Sequence, residues 1–259
     1  LLLPGFEIAL ANLSPDGGDA AALAIMTTDT VPKMATVTAD GFVVGGMAKG
    51  AGMLAPGLAT MLSTITTDAV VDAPTLQRVL EVACSETFDR IDSDGCMSTN
   101  DTVLLLASGA SEFKPSEQDL QAAVTSVCTQ LSRALIADAE GASKEIKITV
   151  RSAATGADAL EVARAISRSN LLKCAIHGED PNWGRVISAA GTTSAEFSAD
   201  EIAVAINDVW VCRRGSVGED RNLVNMSGRE VFIEVDLAAG VEEVSLWTND
   251  LTAAYVHEN

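Results

Sequence analysis

Basic side chains are scarce: 17 Lys and Arg against 36 Asp and Glu leave a formal net charge of −19 over 259 residues. Nucleic acid and anionic membranes are held by clustered Lys and Arg, so a surface of this sign repels both. Aromatic residues make up only 4 %, with a single Tyr, so Ala, Val, Leu and Ile must fill the core, and an apolar content of 47 % is enough for a sizeable one. There are two histidines, His177 and His257, and neither has a second ligand at metal-binding spacing. The five cysteines, Cys84, Cys96, Cys128, Cys174 and Cys212, include no CxxC pair and read as free thiols of a reducing cytoplasm. The apolar opening Leu1-Leu2-Leu3-Pro4-Gly5 has no basic start, so no signal peptide is read. Residues 50–67 form an uncharged stretch of 18 residues, but Pro56, three Gly and five Thr or Ser within it argue against a membrane span. An initiator Met is also missing, and the chain begins in mid-pattern as a fragment or processed piece would.

What is present alternates between helix and strand signals. Residues 20–26 read as the end of a helix, and 35–38 with 42–44 as two short strands joined by the tight turn Asp40-Gly41. Residues 45–57 carry five glycines, which favours unusual backbone angles over regular structure. Residues 61–67 alternate and are β-branched, so they read as a strand. A helix is expected over 74–91, with Leu76, Val79, Leu80, Ala83 and Phe88 on one face and Pro74 in its first turn. A buried strand is expected over 102–107. The clearest helix covers 116–139: Ser116 caps it, and Leu120, Ala123, Val124, Val127, Leu131 and Leu135 form its apolar stripe. Further on, 145–151 is a half-buried strand, 157–167 a helix, and 202–206, 231–236 and 243–248 are strands expected to run antiparallel. A soft lobe boundary falls near 152–158.

The stretch from Lys49 to Leu62, "KGAGMLAPGLATML", is a glycine-rich loop feeding a strand, with the hydroxyl of Thr60 at the junction. Physically this is either a nucleophile at a strand start or a mobile loop before an edge strand. Four other blocks stand out in order: "IMTTDT" (25–30), "DGCMSTNDTVLLLASG" (94–109), "DAEGASK" (138–144) and "HGEDPNWGRV" (177–186). Together the five blocks resemble the ornithine acetyltransferases, from about residue 20 to the C-terminus. The resemblance implies an α+β fold, an α/β/β/α sandwich of the ornithine acetyltransferase and DmpA-like type with an N-terminal-nucleophile Thr. It further implies autoproteolysis between Ala59 and Thr60. Residues 1–59 would then be the remnant of one piece, and 60–259 the other, with a nucleophile lobe over 60–152 and a C-terminal lobe over 153–259.

The activity implied is ping-pong transfer of an acetyl group from N-acetylornithine to glutamate through an acetyl ester on Thr60, in arginine biosynthesis. The resemblance makes Thr60 both nucleophile and substrate contact, with Thr27, Lys49, Glu140 and Asn259 as the other substrate contacts. Lys49 suits an α-carboxylate, and Glu140 suits the δ-ammonium of ornithine. The freed amine of Thr60 would be the general base, so no His–Asp relay is required. The family's oxyanion donors come from a Ser-Thr-Gly segment that does not occur in this sequence, and a short tail normally follows the counterpart of Asn259. No metal or cofactor is implied, and acetyl-CoA becomes a co-substrate only in bifunctional members. The expected assembly is a heterotetramer of two copies of each piece, in the cytoplasm, with neither nucleic acid nor membrane as partner. The alternative class is an N-terminal-nucleophile amidohydrolase or aminopeptidase. Asp180-Pro181 to Arg185 lacks the spacing of a phosphate loop and reads as a rigid turn, with Trp183 anchored in the core and Arg185 facing a carboxylate. Ser98 to Thr102 reads as a polar turn supporting the nucleophile strand.

Overall fold

The structure is a computed structural model, and it describes residues 2–55, 61–96 and 100–258. Two helices, α1 (Leu2–Ala11) and α2 (Gly18–Ala24), precede the hairpin of β1 (Lys33–Ala39) and β2 (Phe42–Lys49). Gly41 closes that hairpin at a φ of 82°, a backbone conformation natural only to glycine. β3 (Leu62–Thr67), α3 (Ala73–Glu86), β4 (Thr102–Ala107) and α4 (Glu117–Ala137) complete the first half. These strands form one sheet in the order β1-β2-β3-β4, antiparallel except for the parallel pair β3 and β4.

The second half contains β5 (Glu145–Ala153), α5 (Gly156–Ser167), α6 (Asn170–His177), α7 (Trp183–Ala190), β6 (Ala203–Ile206), β7 (Val209–Arg213), β8 (Ser216–Val217), β9 (Glu230–Asp236), β10 (Glu242–Asn249) and α8 (Ala253–Glu258). Its sheet runs β10-β5-β9-β6-β7-β8. Each sheet is backed by helices over its own apolar core, α3 and α4 on the first and α5 and α7 on the second. This is the α+β class implied by the resemblance. Residue 152 lies inside β5, so the change from one sheet to the other falls between α4 and β5, ahead of the expected lobe edge at 152/153.

α4 forms where its pattern predicts. The Ser116 hydroxyl accepts the Asp119 N–H at 3.1 Å, and all six expected stripe residues are buried. Each Leu or Val of the stripe contributes about 1.5–3 kcal/mol by leaving water.

Several expectations are corrected. Strand β2 runs straight through Gly45 and Gly46 to Lys49, where glycine content had suggested irregular backbone. Pairing on both edges holds it extended, and a Cβ on Gly46 would stand 3.1 Å from Leu131 Cδ1, so the missing side chain lets α4 lie close on the sheet. Helix α3 stops at Glu86 rather than near Ile91, because Thr87 leaves helical geometry and Phe88 sits in a short 3-10 turn. Strand β4 is an edge strand with Leu104 and Leu106 exposed, not a buried one; these two share the sheet's helix-free face with Leu62 and Met34.

Of the later strands, β6 pairs β9 antiparallel and β10 pairs β5 antiparallel, while β9 also pairs β5 in parallel. The block at 177–186 is a turn set between two helices: His177 ends α6, residues 178–182 are non-helical, and Trp183 starts α7, whose Asn182 cap accepts the Arg185 N–H. Trp183 is only half-buried, and Arg185 donates to the Leu171 carbonyl at 2.6 Å rather than to a carboxylate. No helix among the described residues is long and apolar enough to cross a membrane.

Candidate active site

Four of the six lysines, Lys33, Lys49, Lys144 and Lys173, are buried, which is rare for this residue unless its charge is matched. Three are matched. Lys33 Nζ lies 2.6 Å from both Asp29 Oδ1 and Asp138 Oδ2. Lys144 Nζ reaches Glu179 and the carbonyls of Met226 and Gly228. Lys173 Nζ donates to Thr248 and to the carbonyls of Ser93 and Asn249, and burial pulls its pKa down to about 8.

Lys49 is different. Among the described residues its ammonium donates to one neutral oxygen, Thr27 Oγ1 at 3.1 Å, and forms no ion pair. A buried cation with spare donors is prepared for an anion from outside. The Thr27 hydroxyl accepts from Lys49, which leaves its own proton free to donate outward.

Lys49 ends β2 opposite Leu62, the first residue of β3. The residue before Leu62 is held by a carboxylate: Met61 N–H donates to Asp101 Oδ1 at 2.7 Å, and the Met61 carbonyl accepts the Thr102 N–H. Burial raises the Asp101 carboxyl above its ordinary value, partly offset by the Met61 N–H and the Lys49 charge. The Asp101 carboxylate is thus within electrostatic reach of Lys49, and from the described part of the expected polar turn it holds the start of β3.

Glu140 reaches the same loop a few residues on. Its N–H donates to the Ala51 carbonyl at 2.8 Å, and its carboxylate lies so close to Gly52 that a Cβ there would stand 2.5 Å from Oε2. Gly141 then turns the chain at a φ of 61° with Tyr255 packed against it. Residues 49–52 thus join Thr27, Lys49 and Glu140 into one constellation. Asp101 belongs to the polar turn that the sequence marks as a support; Asp29, Lys33, Asp138 and Gly52, which also hold the constellation, carry no such mark. The only sequence signal for them is their place inside or beside the quoted blocks.

Ala59, Thr60 and Asn259 lie outside the described residues, as do Ser98 and Thr99. A grouping of Ser143, His177 and Asp250 invites comparison with a hydrolytic triad, but both oxygens meet the same ring nitrogen. Asp250 Oδ2 is 2.9 Å and Ser143 Oγ 3.2 Å from His177 Nδ1, and Ser143 also donates to Asp250. A relay needs the hydroxyl on one nitrogen and the carboxylate on the other. The group instead ties Asp250 to the Ser143 and Lys144 N–H groups; burial opposes ionisation of Asp250, but these bonds outweigh it and hold its carboxyl below the usual range. Among the described residues no group of three or more His, Cys, Asp or Glu side chains is arranged to hold a metal ion.

Comparison with known proteins places these residues in context. The model of the ArgJ family matches residues 2–259. The arginine biosynthesis bifunctional protein ArgJ of Streptomyces avermitilis is 66 % identical over 258 residues, covering 100 % of this chain and 67 % of that protein. The protein of the same name from Mycobacterium tuberculosis is 51 % identical over 244 residues, 94 % of this chain and 60 % of its own length. The crystal structure of arginine biosynthesis bifunctional protein argJ from Bacillus halodurans superposes with a TM-score of 0.71 at 35 % identity, covering 76 % of this chain and 96 % of the other.

Proposed function

The chain belongs to the ArgJ family, and from that premise we propose that it is an acetyltransferase of arginine biosynthesis, moving an acetyl group from N-acetylornithine to glutamate through Thr60. The observation that carries this reading is the buried ammonium of Lys49, which among the described residues donates only to Thr27 Oγ1 and stands opposite the first residue of β3, two residues after Thr60. Both substrates carry an α-carboxylate, and a buried, unmatched lysine is suited to receive one.

The reaction begins with maturation. The Thr60 hydroxyl attacks the Ala59 carbonyl, the peptide bond shifts to an ester, and water opens the ester to leave a carboxylate on Ala59 and a free amine on Thr60. That amine has an ordinary pKa of about 8 and takes the proton of its own hydroxyl. The hydroxyl oxygen then attacks the acetyl carbonyl of N-acetylornithine, the proton passes to the departing amine, and ornithine leaves. The amine of glutamate attacks the acetyl-Thr60 ester, giving N-acetylglutamate and restoring the hydroxyl. Lys49 and Thr27 hold the carboxylate end, Glu140 pairs with the δ-ammonium of ornithine, and Asn259 is the remaining contact. Acetyl-CoA serves as the acetyl donor in a second, glutamate-acetylating activity. The two pieces, 1–59 and 60–259, assemble as two copies each; the larger piece carries the nucleophile lobe and the C-terminal lobe, which meet between α4 and β5. The five free cysteines fit a cytoplasmic setting.

Intact mass of the purified protein tests maturation: pieces of 59 and 200 residues are expected from the wild type and one chain of 259 from Thr60→Ala. An exchange assay with labelled N-acetylornithine then asks whether glutamate or water accepts the acetyl group. Transfer at the wild-type rate by Thr60→Ala removes Thr60 from the mechanism, and acetate as the sole product turns the assignment to hydrolysis.

A further inference from the structure

We propose that Lys33, enclosed between Asp29 and Asp138, is a positioning residue that sets the spacing of Thr27, Lys49 and Glu140 in the substrate site. The inference rests on the substrate reading above and adds to it three residues that contact no substrate themselves.

The three side chains are almost wholly removed from solvent: Lys33 and Asp29 are 0 % exposed and Asp138 8 %. Each carboxylate also fastens backbone next to a residue of the site. Asp29 Oδ1 accepts the Gly50 N–H at 2.7 Å, immediately after Lys49, and its Oδ2 accepts the N–H of Thr27 itself at 3.1 Å. Asp138 Oδ2 accepts the Thr30 N–H at 2.9 Å, and its other oxygen accepts the Thr30 hydroxyl. Asp138 stands two residues before Glu140, whose N–H returns to Ala51 in the Lys49 loop. A single ammonium therefore links the segment 27–30, the loop 49–52 and the turn 138–140, and every one of these carries a proposed substrate contact.

Charge makes the arrangement conditional on Lys33. Burial by itself raises both carboxyls, yet the Lys33 ammonium and the backbone N–H groups together hold each below its ordinary range. Without the cation, two carboxylates that now share one Nζ would repel in a buried setting where bulk solvent screens them weakly. Stability alone does not call for such a device. Apolar side chains of similar volume often replace buried ion triads with no loss or with a gain, because desolvation of the charges offsets their attraction. What a salt-bridged triad adds over an apolar plug is direction: fixed angles and distances between three pieces of backbone. Those pieces have to agree if one substrate is to meet Thr27, Lys49 and Glu140 together.

The test measures the Kd of N-acetylornithine by calorimetry, with KM, kcat and thermal melting, in wild type, Asp138→Asn and Lys33→Met. Asp138→Asn keeps the shape and an oxygen for Thr30 while weakening the tie to Lys33. A rise of tenfold or more in Kd and KM is expected in both variants, with kcat changed less than threefold because Thr60 is untouched. If Lys33→Met alone does not fold, the double variant K33M/D138N, which removes one charge of each sign, takes its place with the same expectation. Variants that melt lower but bind N-acetylornithine as tightly as wild type overturn the positioning role and leave the substrate reading standing. A wild-type protein that does not bind N-acetylornithine overturns both.

Discussion

Replacing Gly52 by Ala separates the stability of the Lys49 loop from the placement of the Glu140 carboxylate. A Cβ built on Gly52 stands 2.5 Å from Glu140 Oε2, 2.9 Å from Cδ and 3.0 Å from Oε1, where ordinary contact begins at 3.4 Å. The obstacle is the far end of a flexible side chain, so the carboxylate moves and the backbone stays. The displacement needed is 3.4 − 2.5, or about 0.9 Å. Gly52 has no left-handed backbone angle, so Ala fits its conformation, and the smaller entropy of the unfolded chain stabilises the variant by about 0.4–1 kcal/mol. A charge-assisted hydrogen bond is worth about 1.5–3 kcal/mol, and a shift of this size removes most of it. Binding of N-acetylornithine should therefore weaken by about 10- to 100-fold, with the melting temperature unchanged or slightly raised. Calorimetric titration beside a thermal melt reads both quantities. Wild-type affinity at wild-type stability would show that Glu140 does not hold the substrate. A fall of several degrees in melting temperature would show that the backbone, not the carboxylate, gives way.

Gly141→Ala should behave in the opposite manner: φ is +61° and the new Cβ would stand 2.1 Å from the Tyr255 nitrogen, so the variant should lose about 1–3 kcal/mol or more in denaturant unfolding. Acid should remove stability in a way assignable to single carboxylates. Asp250 is held below its ordinary value, so its contribution is complete above the unfolded value of about 3.9 and is lost as pH falls through its lower folded value. Asp92 and Asp101 are raised and act in the opposite sense, so the comparison is differential: unfolding free energy of Asp250→Asn should fall less steeply than wild type between about pH 4 and 2, and identical slopes would refute the assignment.

Elements whose stabilisation is local were legible. The α4 stripe, its Ser116 cap and the Asp40-Gly41 hairpin depend on side chains a few residues apart, and the strands β4 and β5 stand close to their expected bounds. Thr27, Lys49 and Glu140 were marked only through the family pattern, because by itself each has the neighbours of an ordinary surface residue.

The sequence by itself thus determined the alternation of helices and strands, the acidic and aromatic-poor character of the chain, and the blocks that bear its kinship. Tertiary structure alone decided that Lys33 is enclosed by Asp29 and Asp138, the latter 105 residues away, that Lys49 is buried with Thr27 as its one partner among the described residues, that β4 is an edge and that β5 and β9 run parallel. The physical reason is one of range. Hydrophobic period and capping act over one or two turns of chain. The pairing of a buried charge, or the face a strand turns to solvent, is settled by whichever distant segment packs against it.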